Sequence, residues 1–253
     1  MHLHITLTSP TGALRLPFSY PYWIQSALYR ALDARFATKL HDEGFRYGKR
    51  AFRLFSFSRL LGAYVLDRDR KEIVFSNPIR LVVASPLEEF LRQLSDLLIK
   101  EEGLRLGEQT VFIEEIAYRR VRVDRNPLVV HTLSPITVYS TMTRGDGKRY
   151  TYYYAPKEKP FAELIHQNLV KKWTALTGEP YAGPETVVKP VGRTRLHLVT
   201  YKGTVVKGWS GRFVLEGDPR LIELGLYAGF GAKNAQGFGL CEPLPDRGES
   251  QTC

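Results

Sequence analysis

The feature that most constrains this chain is the order in which two hydrophobic periods succeed each other along it. Residues 2–8, His-Leu-His-Ile-Thr-Leu-Thr, alternate with period two, so Leu3, Ile5 and Leu7 face inward from a half-buried strand. From Tyr22 to Leu40 the apolar residues Ile24, Ala27, Leu28, Ala31, Leu32 and Phe36 recur at three and four, the spacing of one amphipathic helix. That helix is expected to end near His41-Asp42-Glu43-Gly44, where Gly44 is free to take the left-handed cap conformation. Alternation returns over 51–58, and Ile79 to Val83 is an apolar run. Ser85-Pro86 then opens a helix reaching about Lys100, and Thr110 to Tyr118 reads as a closing strand. Tyr64–Leu66 and Ile73–Phe75 add an edge hairpin. The succession β-α-β-β-α-β is that of a ferredoxin-like unit.

The order then recurs. Residues 119–127, Arg-Arg-Val-Arg-Val-Asp-Arg-Asn-Pro, form a polar basic link. Beyond it come a strand from Pro135 to Thr143, a turn through Gly145-Asp146-Gly147, and a helix from about Phe161 to Leu176. Strands Arg193–Tyr201 and Gly211–Leu215, a short helix Pro219–Leu226 and a strand Gly237–Glu242 complete the second copy. The expected fold class is α+β, with two tandem ferredoxin-like (βαββαβ, RRM-like) domains at 1–122 and 123–243 and a flexible polar tail at 244–253.

Charge narrows the partner. The net charge is +10, from 36 Lys and Arg against 26 Asp and Glu, and this balance favours an anionic partner. A surface merely rich in charge, as in proteins from hot habitats, is the competing explanation. Thirteen Phe, fourteen Tyr and three Trp tilt the reading toward nucleic acid, because rings interleaved with cations suit base stacking beside phosphate contacts. Cys241 and Cys253 supply neither a disulfide framework nor a metal cluster. No apolar run approaches the roughly 18 residues of a membrane span and the first residues lack the layout of a secretory signal, so a cytoplasmic protein without membrane contact is expected.

Near the carboxyl end Gly229-Phe-Gly-Ala-Lys-Asn-Ala-Gln-Gly-Phe-Gly239 surrounds Lys233 and Asn234 with glycines that let a backbone approach phosphate closely. It is not a Walker A loop, which needs Gly-Lys-Ser/Thr, nor a dinucleotide fingerprint, which needs the order strand, loop, helix. The segment resembles the glycine-rich loop of the RAMP superfamily of CRISPR-associated proteins. Three further segments resemble its repeat-cleaving endoribonuclease subfamily: Leu40–Phe45 with Phe52–Arg59, Leu133–Val138, and Phe161–Trp173.

The resemblance implies two facing ferredoxin-like domains holding CRISPR repeat RNA, and cleavage of precursor transcripts without metal or cofactor. The ribose 2′-hydroxyl attacks the adjacent phosphorus, leaving 2′,3′-cyclic phosphate and 5′-hydroxyl ends. It also implies a monomer or homodimer that works with other CRISPR-associated proteins. His41 stands where the family carries its catalytic histidine, and an imidazole suits proton transfer near neutral pH. Tyr29, twelve residues earlier on the expected helix, is the candidate proton donor or positioning hydroxyl, with a core tyrosine as its bland reading. Lys49 is the candidate cation for the phosphorane, with Arg46 and Arg50 as RNA contacts. The alternative function is a non-catalytic RAMP-type RNA-binding subunit of an effector complex.

Further RNA contacts are expected from Lys189, Arg193, Arg195 and Lys207 on strands of the second half, with Arg193 and Arg195 on one face by alternation. Arg144, Lys148 and Arg149 sit among the tyrosines of the hairpin around Asp146, and Lys233 and Asn234 centre the glycine-rich loop. His2 and His4 share a strand face, but no cysteine or acidic cluster accompanies them, so no metal site is expected.

Overall fold

The computed structural model describes residues 1–101 and 103–245; of the expected tail, residues 246–253 lie outside the described residues. The first half opens with β1 (His2–Thr8) and β2 (Ala13–Pro17), then α1 (Pro21–Arg30), α2 (Ala34–Thr38) and a π-helical turn over Lys39–Glu43. A hairpin of β3 (Phe45–Tyr47) and β4 (Arg50–Phe52) follows, then β5 (Ser56–Phe57) and a second hairpin, β6 (Tyr64–Asp67) with β7 (Glu72–Ser76). β8 (Ile79–Ala84), α3 (Glu88–Glu101), β9 (Gly103–Leu106) and β10 (Gln109–Arg119) close the half.

Its main sheet runs β5-β8-β1-β10-β9, with β1 central and antiparallel to both β8 and β10. The two crossovers, β1 to β5 and β8 to β10, each skip one strand, the arrangement of a ferredoxin-like unit. Leu3, Ile5 and Leu7 point into the core as alternation requires, and α3 lays Phe90, Leu91, Leu94 and Leu98 on it.

The second half repeats the plan. β11 (Leu128–Thr132) is followed by a hairpin, β12 (Tyr139–Thr143) with β13 (Arg149–Tyr153), and by α4 (Lys159–Thr177). A long hairpin of β14 (Val187–Tyr201) and β15 (Thr204–Glu216), α5 (Pro219–Ala228) and β16 (Cys241–Pro243) complete it. The sheet order is β14-β15-β11-β16, again with the first strand of the unit between the third and the fourth. Among the described residues no helix is long and apolar enough to cross a membrane.

Four expectations need correction. The helix predicted over 22–40 is broken: Asp33 has an extended backbone (ψ 149°), its carboxylate accepts the Phe36 N–H at 2.9 Å, and its own N–H goes to Gln93 of α3 at 3.0 Å. A capping aspartate thus starts a new helix inside an unbroken apolar period. The strand predicted over 51–58 is interrupted at Leu54, whose φ is +51°. The second unit starts with β11, not with Pro135–Thr143, whose later part is the outlying hairpin strand β12. The Gly237–Glu242 strand shortens to β16, because the glycines before it are curled into the loop.

Candidate functional site

Between the halves lies a cleft of about 950 Å³, walled by α1, β4 and the π-turn on one side and by α4, the β12–β13 hairpin and the glycine-rich loop on the other. The side chains lining it include Arg50, Arg53, Arg149, Lys171, Lys202 and Lys233, and among the described residues no Asp or Glu. Cations that outnumber the carboxylates around them favour an anionic occupant. Burial, and then the nearby Arg50 guanidinium, push the Lys171 ammonium down from its ordinary range.

On the wall from the first half, the broken helix decides the geometry. In one straight helix Tyr29 and His41 would stand about 18 Å apart along the axis. The break at Asp33 and the π-turn fold the chain back, and the two rings meet edge to face with centroids 5.3 Å apart. Tyr29 also packs edge-on against Phe55 at 5.7 Å. His41 stays two-thirds exposed, and its Nδ1 lies 2.7 Å from Asp42 Oδ1. A carboxylate oxygen only accepts, so Nδ1 carries the proton and Nε2 keeps a lone pair. Burial pushes the Tyr29 hydroxyl up to about 12 despite the opposing Arg53 guanidinium, so it remains a donor at neutral pH. Arg53 is anchored by donating to the carbonyls of His41 and of Ala51, the latter at 2.9 Å.

On the opposite wall the glycine-rich loop is a closed cage. α4 buries Phe161, Ile165 and Leu169 at intervals of four, and the next inward position is Lys172, 1% exposed. Its Nζ donates to Gly229 O at 2.6 Å and Asn234 Oδ1 at 2.7 Å, with Ala228 O at 3.3 Å. Burial pushes this ammonium down to about 7, while the ring of acceptors favours the charged donor. Asn234 Nδ2 donates to Phe230 O at 3.1 Å and Phe238 O at 3.0 Å. A Cβ at Gly239 would stand 2.0 Å from Phe230 O, and one at Gly237 2.7 Å from the Phe57 ring across the domain boundary. Gln25 of α1 latches the loop from the other half, donating to Ala235 O while accepting from the Tyr201 hydroxyl.

The sequence-derived candidates divide accordingly. His41, Tyr29, Arg50, Arg149 and Lys233 line the cleft. Lys233 holds a left-handed backbone (φ 60°) and lays its ammonium 5.5 Å from the Tyr139 ring centre. Asn234 lines it only from beneath: it is buried and its amide is spent inside the loop, so the expected RNA contact becomes a structural residue. Lys49, at the tip of the β3–β4 hairpin, and Arg46 are not among the lining residues.

Arg144 instead covers Tyr150 at 5.2 Å, and Lys148 pairs with Asp146 at 4.0 Å. Lys189, Arg193, Arg195 and Lys207 are exposed on the β14–β15 hairpin outside the cleft. The ladder shifts register between Val191 and Arg195, so simple alternation does not hold through Arg193. Reasoning from sequence missed Arg53, Lys171, Lys172 and Gln25. The first three lie in the family-like segments 52–59 and 161–173, where position alone could not say which cation turns inward.

Paired ferredoxin-like halves closing on a cationic cleft through a glycine-rich loop define a protein of the RAMP fold class. The family described as CRISPR-associated protein Cas6, N-terminal, matches residues 15–117, and CRISPR associated protein Cas6, C-terminal, matches 119–243. The chain belongs to the CRISPR-associated Cas6 family. It is 27% identical over 239 residues to the CRISPR-associated endoribonuclease Cas6 1 of Methanocaldococcus jannaschii, covering 92% of this chain and 89% of the relative. It is 26% identical over 243 residues to the CRISPR-associated endoribonuclease Cas6 of Pyrococcus furiosus, covering 90% and 83%. A solved structure described as CRISPR associated protein Cas6 superposes with a TM-score of 0.78 at 25% identity, covering 97% of this chain and 99% of that one.

Proposed function

We propose that this chain is an endoribonuclease that binds CRISPR repeat RNA across the cleft and cuts precursor transcripts into guide RNAs by metal-independent transesterification. The observation that carries the reading is the meeting of His41, Tyr29 and the anchored Arg53 at a cleft whose lining, among the described residues, holds cations and no carboxylate. His41 Nε2 takes the proton of the attacking 2′-hydroxyl, while Asp42 fixes the tautomer from the other side of the ring. The 2′-oxygen bonds to phosphorus, the bond to the 5′-oxygen breaks, and the Tyr29 hydroxyl, kept protonated by burial, serves the departing oxygen. Arg53 offers its remaining N–H groups to the charged phosphorane, and Lys171, Arg149 and Lys233 hold the backbone on either side. The products are a 2′,3′-cyclic phosphate and a 5′-hydroxyl.

The test is to incubate the protein with repeat RNA in EDTA and map both new ends, with a second RNA carrying 2′-deoxyribose at the cut. Cyclic phosphate from the first and intact RNA from the second are expected; cleavage of the deoxy substrate would overturn the mechanism. Tight binding with no cleavage of either would instead assign a non-catalytic RNA-binding subunit.

A further inference from the structure

A third group of titratable side chains lies away from the cleft, where the first strand of one half meets the last strand of the other. His2 and His4 lie two apart on β1, so both imidazoles leave the same face. β16 brings Glu242 to them: Oε1 lies 3.1 Å from His2 Nδ1 and 2.9 Å from His4 Nε2. The three atoms all fall within 4.8 Å of one another. His2 is fully buried, and its other nitrogen, Nε2, lies 2.9 Å from the carbonyl oxygen of Leu226 on α5. A carbonyl only accepts, so Nε2 carries the hydrogen and Nδ1 is left to aim its lone pair at a carboxylate oxygen. His4 Nε2 is itself shielded from solvent, 2.9 Å from the same oxygen.

Three lone-pair donors therefore converge on one shielded point, with the first imidazole oriented from behind by a backbone carbonyl, as metal-bound histidines are. We infer that His2, His4 and Glu242 form a binding site for a divalent transition-metal ion of the zinc class, which cross-links the two halves. Two imidazoles and one carboxylate suit zinc or nickel and not calcium or magnesium, which take oxygen ligands. Tetrahedral zinc with bonds of about 2.0–2.1 Å needs ligand atoms roughly 3.3 Å apart, so to admit the ion the observed 2.9 and 3.1 Å open slightly and the two imidazole nitrogens, within 4.8 Å of each other, settle to the same spacing. Water completes the fourth position. None of the three residues lines the cleft, so the ion takes no part in RNA cleavage and the inference stands apart from the proposed chemistry.

The alternative occupant is a proton, which would make His2 an imidazolium paired with Glu242. The experiment uses full-length protein without a histidine tag, stripped with EDTA, exposed to zinc chloride, desalted and analysed by elemental mass spectrometry alongside thermal unfolding. One zinc per chain and a raised unfolding midpoint are expected for the wild type and for a His41→Ala control. Both effects should be lost in His4→Gln, chosen because His4 is partly exposed and its replacement spares the buried His2, and also in Glu242→Gln. Zinc retained undiminished by a folded His4→Gln protein, or no zinc retained by the wild type, would overturn the site and leave the proton as the occupant.

Discussion

The two halves share one strand order yet divide their labour in opposite ways. The first half inserts its extra chain after α1: the helix break, the π-turn and the β3–β4 hairpin put His41 on an exposed edge with one carboxylate behind it. The second half inserts its glycine-rich loop after α5 and locks it around a buried lysine. On the proposed mechanism a proton-transfer group must meet solvent and substrate, whereas a platform for a charged backbone must not yield. The same topology provides an open turn in one case and a closed cage in the other, because the inserted residues differ in where their polar groups are satisfied.

Substitutions on each side should separate these roles. The largest effect is expected from His41→Ala, which should slow single-turnover cleavage of repeat RNA by roughly 100- to 10,000-fold while binding in a filter assay changes little. Equal loss of binding would break the division between the halves. Lys172→Met should act on stability first: each carbonyl left without a donor costs about 1–3 kcal/mol, read as a lowered denaturant midpoint, with RNA binding and cleavage declining together. Unchanged stability would make the cage dispensable.

A smaller effect is expected from Lys171→Gln and Lys233→Gln. Each should weaken RNA binding and reduce the slope of log affinity against log salt by about 0.7 for one lost phosphate contact, with cleavage of bound RNA unchanged. The smallest concerns His197, whose imidazole burial and then the Arg59 and Arg195 guanidiniums push down to about 4. The folded state resists protonation that the unfolded chain accepts at about 6.5, so stability is fully present above that pH and falls as pH drops toward 4. His197→Gln should flatten the acid-side slope of the unfolding midpoint, and an unaltered slope would remove His197 from the account.

Much of this was legible in the order of residues. Alternation over 2–8, the period over 86–100 and the repeated succession of elements fix two βαββαβ units, because hydrophobic period is a local property that burial of one face enforces. The charge balance foretold an anion-binding surface, and the glycine-rich segment marked a backbone forced into left-handed conformations, as Gly237 and Gly239 are. Direction was not legible. Lys172 and Lys171 are neighbours in one helix and both border the cleft, yet Lys172 is sealed in the cage and Lys171 is partly exposed. Asn234 looked like a ligand contact and is a strut, while Arg193 and Arg195 lie outside the cleft that Arg53 lines.

The sequence by itself therefore determined the two units, their order and the histidine that the proposed mechanism uses for proton transfer. Tertiary structure alone decided that Asp33 starts a new helix inside an apolar period that continues, that Tyr29 thereby meets His41, and that Glu242 meets His2 and His4 across 237 intervening positions or more. The physical reason is common to all three. A capping bond, a ring contact and a carboxylate between two imidazoles are made only after distant segments have been brought together by burying their apolar faces, and no local period encodes which polar groups will then find themselves opposite one another.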